Sequence, residues 1–183
     1  GKSTLLNLIS LIDKPSGGFI KLDNFKINEN DIDQKDTIRS KKIGIIYQDK
    51  NLLSDFTTLE NVYMARLSMS NNRKKAIMDA KSLIKKVGLE KRLDHFPSEL
   101  SGGESQRVAI SRALINSPDI ILADEPTGNL DHKNATEIFK LLFSLKNKKR
   151  IIIFATHNRY FADMSDCKLS LINGRVNTVN ARN

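Results

Sequence analysis

The sequence predicts an α/β fold in which a parallel sheet carries an inserted helical subdomain. Short apolar segments at 43–47, 120–123 and 150–156 are continuous rather than alternating, which is typical of strands buried on both faces of a parallel sheet. Strands alternate with helical patterns near both ends of the chain, whereas the region from 58 to 116 shows helical patterns alone. This arrangement favours an α/β core with helices inserted into it.

Size and composition fit a single folded domain. Of the 183 residues, 39% are apolar and 28% are charged, so the chain can bury one sizeable core and is not expected to be disordered. The longest apolar run, 151–155, has five residues, whereas a membrane-spanning helix needs about 20. The single cysteine, Cys167, excludes an intrachain disulfide and a cysteine-based zinc site and indicates a reducing, cytoplasmic compartment.

The first half of the chain begins with one helix and two strand candidates. Apolar residues at 5, 6, 8, 9 and 11 predict a buried helix over 3–11, and the sequence Lys-Pro-Ser-Gly-Gly at 14–18 predicts a turn after it. Residues 19–22 and 43–47 predict strands. Apolar side chains then recur at helical spacing from Thr58 to Gly88, and Pro97 closes this region.

The second half alternates between helices and strands. A helix begins after Ser101-Gly102-Gly103 and ends near Asn116, because Pro118 stops it. The next predicted elements are a strand at 120–123, a helix at 133–145, a strand at 150–156 and a helix at 159–164. The sequence Asn-Gly at 173–174 joins strands 168–172 and 175–179 in a closing hairpin.

Positive charge is concentrated in one segment. The chain has 30 basic and 21 acidic residues, a formal net charge of +9. Between Arg66 and Arg92 there are nine Lys or Arg residues against Asp79 and Glu90, so this segment supplies +7 of the +9. DNA, RNA, anionic lipid and a merely solvated face all fit such a patch.

The chain opens on Gly1-Lys2-Ser3-Thr4 at the start of a helix, which matches the end of the phosphate-binding loop G-x-x-x-x-G-K-[ST]. In this motif backbone N–H groups and the lysine bind phosphates, and the serine hydroxyl binds Mg²⁺. The four residues alone are weak evidence. Because there is no initial Met and the first half of the motif is missing, we expect an N-terminally truncated sequence.

A second motif supports the first. The apolar strand 120–123 ends in Asp124-Glu125, which places Asp124 at the carboxyl edge of the sheet, where it can hold Mg²⁺. Glu125 can accept the proton of an attacking water. An acidic strand cap is the alternative interpretation. Together with Lys2 at the start of a helix, the pair predicts a P-loop NTPase core.

The third motif is a serine and two adjacent glycines at a helix start. Glycine inside a helix costs about 1 kcal/mol, so Ser101-Gly102-Gly103 indicates a close backbone approach and a second anion site at the helix N-terminus. A flexible capping sequence is the alternative. The complete string Leu-Ser-Gly-Gly-Glu-Ser-Gln-Arg at 100–107, whose serine precedes Asp124 by 23 residues, resembles the signature motif of ABC-type ATPases.

The resemblance implies roles for residues that follow in the family's order. Gln48 corresponds to the glutamine that touches Mg²⁺ and the attacking water, Asp131 ends the loop that crosses to the other subunit, and His157 corresponds to the histidine on the γ-phosphate. The resemblance also implies a head-to-tail homodimer enclosing two ATP molecules. The expected catalytic residues are Glu125, His157 and Gln48; the nucleotide contacts are Gly1, Lys2, Ser3, Thr4, Ser101, Gly102, Gly103, Gln106 and Asp131; and the Mg²⁺ ligands are Ser3, Gln48 and Asp124.

The resemblance covers nearly the whole chain and implies one ABC ATPase domain over 1–183. Residues 1–48 and 118–183 are expected to form a RecA-like core, with 49–117 as the helical subdomain that carries the signature. The stretches 51–62, 87–100 and 123–131 are similar to ATPase subunits of the bacterial lipoprotein-releasing (Lol) branch. This implies integral membrane partners and a peripheral position on the cytoplasmic face of the inner membrane.

Several other functions are alternatives to lipoprotein release. The macrolide-exporter and cell-division branches share similar stretches and stay as alternatives. A soluble ATPase acting on nucleic acid is less favoured: only 52 residues separate Gln48 from Ser101, too few for the long coiled coil of chromosome-maintenance relatives, and ribosome-associated relatives usually fuse two ATPase cores. We expect no specific nucleic acid partner. A non-enzymatic basic binding module would leave the ordered motifs unexplained.

Two departures from the family pattern are visible. Asn158 follows His157 where these ATPases often have Asp, and this difference bears on how the loop that carries His157 is held. The first half of the phosphate loop, its strand and the aromatic residue that stacks on adenine are missing. We therefore expect the 183-residue chain to bind and hydrolyse ATP less well than a longer version would.

Overall fold

A three-stranded parallel sheet lies at the centre of the molecule. The computed structural model describes residues 1–23, 25–28 and 30–181. The order of the central strands is β3-β4-β5, with Ile43 opposite Ile120 and Ile120 opposite Ile151. This confirms the predicted parallel sheet.

Seven strands and seven α-helices make up the described part of the chain. The strands are β1 (Lys21–Leu22), β2 (Phe25–Lys26), β3 (Ile43–Ile46), β4 (Ile120–Asp124), β5 (Ile151–Ala155), β6 (Cys167–Ile172) and β7 (Arg175–Ala181). The helices are α1 (Lys2–Ile9), α2 (Ile32–Lys42), α3 (Thr58–Leu67), α4 (Arg73–Lys86), α5 (Gly102–Leu114), α6 (His132–Ser144) and α7 (Arg159–Asp163). Short 3₁₀ turns occupy Glu90–Arg92 and Pro97–Glu99. None of these helices is long and apolar enough to cross a membrane.

Helix α5 joins two hydrophobic cores. Val108 on one side of α5 is fully buried in a cluster formed mainly by α3 and α4. Ile110 on the other side is fully buried in a cluster that includes Ile46 of β3 and Ile121 of β4. Because both clusters hold α5, the start of this helix has a fixed position relative to the sheet.

Three elements differ from the sequence prediction. The helical pattern predicted over 58–88 forms two helices: α3 ends at Leu67, and Asn72 starts α4 by accepting a hydrogen bond from the Lys75 N–H. Helix α2 was not predicted because it buries no side chain and has no apolar face for a periodicity to reveal. The first helix was predicted to be buried, but only Leu6 within α1 is buried.

Gly44 permits the close packing of β3 against α5. A Cβ atom at this position would overlap the backbone carbonyl oxygen of Ala113 and stand 3.0 Å from Cγ of Pro118. Neither group can move aside as a flexible side chain would, so the glycine is required by close approach rather than by backbone conformation.

We therefore expect Gly44→Ala to lower the free energy of unfolding by about 1–3 kcal/mol, the usual cost of overpacking a core. Gly17→Ala is the matched control, since a Cβ there meets no atom within 4 Å, and a change within about 0.5 kcal/mol is expected. Urea unfolding of both variants measures the difference. Equal effects of the two substitutions would contradict this account of the packing.

Candidate functional site

The carboxyl edge of the sheet brings together three predicted site residues. Strands β4 and β5 end side by side, with Asp124 opposite Ala155, so Glu125 and His157 follow from neighbouring strand ends. Helix α1 begins beside them and carries Lys2 in its first turn. The Lys2 Nζ atom lies 2.9 Å from Nε2 of His157 and 3.4 Å from Oε1 of Glu125.

Glu125 is held in a strained backbone conformation. Its φ is 43°, in the left-handed region that side chains other than glycine rarely adopt, at a cost of about 1–3 kcal/mol. Its N–H donates to the carbonyl of Ala155 at 3.0 Å. The His157 N–H donates to Oε2 of its carboxylate at 3.3 Å. Only 15% of the Glu125 side chain is exposed, against 84% of His157.

The N-terminus of α1 can receive an anion. Gly1 is the N-cap and has no side chain to accept a hydrogen bond from the first turn, and that turn contains no acidic residue. Ser3 and Thr4 are exposed. The helix dipole and the free N–H groups therefore favour negative charge next to Lys2.

A loop on the other side of Glu125 positions Gln48. The Gly128 N–H donates to the carbonyl of Glu125 at 2.9 Å, which folds the loop 126–131 back on itself. The Nε2 atom of Gln48 lies 3.1 Å from where a Cβ of Gly128 would stand. The Asn129 amide also reaches Asp49, at 3.5 Å. The same Cβ would stand 3.5 Å from Cβ of Glu125, so the side chains of Gln48 and Glu125 meet beside Gly128.

Arg112 of α5 fixes the segment that follows Gln48. Its guanidinium donates to the carbonyls of Lys50 and Asn51, both at 2.6 Å. Both acceptor residues have positive φ, 59° and 46°. Burial lowers the pKa of Arg112. Arg112 is half-buried, and its bonds to two backbone carbonyls connect this loop to α5, the helix that begins with the signature.

Ser101 and Glu104 cap the start of α5. The Ser101 hydroxyl accepts from the Glu104 N–H, and the Glu104 carboxylate accepts from the Ser101 N–H at 2.8 Å, forming a capping box. The Arg92 Nε donates to the same carboxylate at 2.9 Å. The hydrogen bond from Arg92, followed by the backbone bond from Ser101, lowers the pKa of Glu104 to about 2.

The start of α5 packs against the start of α6. A Cβ on Gly103 would stand 2.5 Å from Oδ1 of Asn134, and one on Gly102 would stand 3.3 Å from Cδ2 of Leu130. Asp131 caps α6 by accepting from the Asn134 N–H at 3.0 Å, and this bond lowers the pKa of Asp131. In the described part of the chain, no hydrogen bond or ion pair joins this region to Lys2, Glu125 or His157.

Gln106 is a buried residue of α5, the helix that Ser101 caps. Only 1% of this residue is exposed, and among the described residues its Nε2 has no hydrogen-bond partner. Its predicted contact with nucleotide stays a prediction.

The sequence analysis missed three residues that shape the site: Arg92, Arg112 and Asn134. The two glycines at 102–103 indicated a close approach but not which residue approaches. Arg92 and Arg112 act through partners 12 and about 60 positions away, which no local pattern reveals.

The sequence of the chain matches one family profile over more than half of its length. The sequence profile of the family described as "ABC transporter" matches residues 1–128. The chain belongs to the ABC transporter family. This confirms the resemblance seen in its motifs, its fold class and its assignment as an ATP-hydrolysing enzyme of the ABC type.

Two curated relatives of this ABC protein are named for lipoprotein release. The "Lipoprotein-releasing system ATP-binding protein LolD" of Rickettsia bellii is 47% identical over 97% of this chain and 78% of its own length. The protein "LolD 2" of Chlorobaculum tepidum is 44% identical over 96% of this chain and 74% of its own length.

Solved structures of ABC proteins have the same fold. The "dimeric structure of a post-hydrolysis state of the ATP-binding cassette MJ0796 bound to ADP and Pi" matches with a TM-score of 0.86 and 37% identity, over 99% of this chain and 82% of that one. The protein cbiO1 of Clostridium perfringens matches with a TM-score of 0.83 and 32% identity, over 96% and 70%.

The Arg92–Glu104 contact predicts a pH dependence of stability. Because the pKa of Glu104 falls from its usual 4.5 to about 2 on folding, the unfolded chain takes up this proton first as the pH falls. The contribution of this contact to the free energy of unfolding is thus present above about pH 5 and is lost towards pH 2. We expect this contribution to be about 1–2 kcal/mol, because Arg92 is partly exposed and solvent screens its interaction with Glu104.

Urea unfolding of the wild type and Glu104→Gln at pH 5 and pH 3 measures this effect. The variant should lose less stability between the two pH values. Arg92→Gln should flatten the pH dependence as well, because it removes the main cause of the shift. A wild-type pH dependence in both variants would contradict the assignment.

Proposed function

We propose that this chain is the ATP-hydrolysing subunit of a transporter that releases lipoproteins from the bacterial inner membrane. The observation that carries the activity is the convergence of Lys2, Glu125 and His157 at the carboxyl edge of the sheet. The cargo is supported by the curated relatives, which are 44–47% identical and named for lipoprotein release. The subunit would bind integral membrane partners and lie peripherally on the cytoplasmic face.

We assign the hydrolytic chemistry to this cluster. Lys2 and the free N–H groups of α1 bind the β- and γ-phosphates of ATP, and His157 contacts the γ-phosphate that Lys2 neighbours. Glu125 accepts the proton of the attacking water, and its N–H bond to Ala155 keeps the carboxylate at the end of β4. Gly1 and Thr4 contribute backbone groups to the same phosphates.

Ser3, Gln48 and Asp124 are the proposed ligands of Mg²⁺. A hydroxyl, an amide oxygen and a carboxylate are hard oxygen donors of the kind that Mg²⁺ prefers. A small number of protein ligands is sufficient, because Mg²⁺ also binds phosphate oxygens and water. When bound, Mg²⁺ neutralises charge on the phosphates. The chain's own contribution is to hold Asp124 at the end of β4 and Gln48 beside Gly128.

The second site is proposed to act on the nucleotide of a partner subunit. Ser101, Gly102 and Gly103 sit at a helix N-terminus separate from Lys2, which suits binding in trans. Two solved structures of the relative MJ0796 are described as dimeric. We assign Asp131 and Gln106 to the same interface. The Asn134 N–H donates to Asp131, and the Asn134 side chain packs against Gly103, which supports the assignment of Asp131.

The domain division is also a proposal. Residues 1–48 and 118–183 would form the RecA-like core and 49–117 the helical subdomain. Two separate apolar clusters support this, one around the sheet and one between α3 and α4. Helix α5 packs in both clusters and would therefore transmit movement between the two parts.

Glu125→Gln in the full-length protein tests the proposed base. Glutamine keeps the shape of the side chain but cannot accept the proton, so ATP hydrolysis should fall by about 10²–10⁴. ATP contacts remain and one negative charge beside the γ-phosphate is removed, so an ATP-dependent dimer should accumulate. Phosphate release and light scattering measure the two effects.

Asp124→Asn is the comparison variant, because it weakens Mg²⁺ binding and should lose the stable dimer together with hydrolysis. Turnover of Glu125→Gln within about threefold of the wild type would remove Glu125 as the base.

Ser101→Arg tests binding in trans. The long cation would stand where the partner's γ-phosphate docks and should block ATP-driven dimerisation more than nucleotide binding by the monomer. Ser101→Ala is the matched control, because it loses the helix cap, at about 1 kcal/mol, without adding bulk. Fluorescent ATP binding and dimer formation are measured side by side. Equal losses of both in Ser101→Arg would place Ser101 in the subunit's own site.

A further inference from the structure

Helix α4 presents a straight row of lysines to solvent. Lys74, Met78, Lys81 and Lys85 follow one another at spacings of four, three and four residues, which places them on one line along the helix. We call these four residues the lysine face. At about 1.5 Å per residue the row is about 16 Å long.

The orientation of the lysine face is fixed by the opposite side of α4. Ala76, Ala80 and Ile84 are buried against α3 and α5 with at most 1% exposure. The three lysines of the lysine face are exposed, and 71% of Met78 is exposed. The row therefore cannot turn inward without breaking the helical core.

The charge of the lysine face is not neutralised within the described part of the subunit. Among the ion pairs found there, none includes Lys74, Lys81 or Lys85. The one acidic residue of α4, Asp79, pairs instead with Arg66 at 3.6 Å. The segment 66–92 supplies +7 of the net charge of +9, yet none of the lysine face belongs to the proposed ATP site.

We propose that the lysine face binds the anionic lipid headgroups of the membrane beside which the subunit works. A row of lysines suits this surface, because each is a hydrated point charge that long-range attraction draws to a negative leaflet. Met78 adds an exposed apolar group at the centre of the row. Nucleic acid is less favoured, because α4 offers no aromatic side chain for base stacking. The choice of a membrane rests on the proposed function.

Sedimentation of the full-length protein with lipid vesicles tests this surface. Vesicles of phosphatidylcholine alone are compared with vesicles that contain about 30% phosphatidylglycerol by mole. The wild type should prefer the anionic vesicles and lose that preference towards about 1 M salt, where the screening length falls to about 3 Å.

The triple variant Lys74→Gln, Lys81→Gln, Lys85→Gln should bind anionic vesicles about 100-fold more weakly, since each lysine near such a surface contributes about fivefold. The matched control is Lys140→Gln, Lys148→Gln, Lys149→Gln, which removes the same charge from exposed lysines elsewhere. The control should lose only a few-fold. Equal losses in the two triple variants would overturn the proposal.

Two further measurements separate the possible failures. The α4 triple variant should hydrolyse ATP in solution at the same rate as the wild type. If the wild type binds anionic vesicles but does not hydrolyse ATP, the proposed function is contradicted and the lipid-binding surface is not. Fluorescence anisotropy with a labelled DNA duplex and a labelled RNA tests the other polyanions. If the wild type binds DNA or RNA more tightly than it binds vesicles, and the α4 triple variant does not bind that nucleic acid, the ligand of the lysine face is nucleic acid and the lipid proposal is overturned.

Discussion

Strand β4 is buried between β3 and β5, and its register with them sets the positions of the proposed catalytic groups at the ends of these strands. Asp124 ends this strand opposite Ala155, whose carbonyl accepts from the N–H of Glu125. That bond holds Glu125 in a left-handed conformation that would otherwise be unfavourable. The apolar packing of the sheet therefore offsets the energetic cost of the strained backbone at Glu125.

Helix α5 extends this constraint to the second site. Its two faces are buried in different apolar clusters, its first turn packs on α6 through Gly103, and Arg112 near its end holds the loop after Gln48. The signature and Gln48 are thus attached to one rigid element. A shift of α5 relative to the sheet would move both together, which is a physical route by which occupancy of one site could affect the other.

Electrostatics divides the surface into regions with different tasks. Lys2 meets His157 and Glu125 at the sheet edge, where a helix N-terminus adds positive potential. The larger positive charge is on α4, away from this cluster, and the lysine face leaves it open to solvent. Most of the net charge of +9 therefore lies in segment 66–92, outside the cluster proposed to bind nucleotide.

The sequence by itself determined the three central strands, the motif residues and their order, because buried strands are continuous apolar runs and phosphate chemistry requires a few residue types at fixed spacing. It did not show the break between α3 and α4 or the existence of α2, where local capping and a polar surface override periodicity. Only the tertiary structure decided that Lys2 meets Glu125 and His157, and that Arg92 meets Glu104. These contacts join distant positions through packing, and packing leaves no local pattern in the sequence.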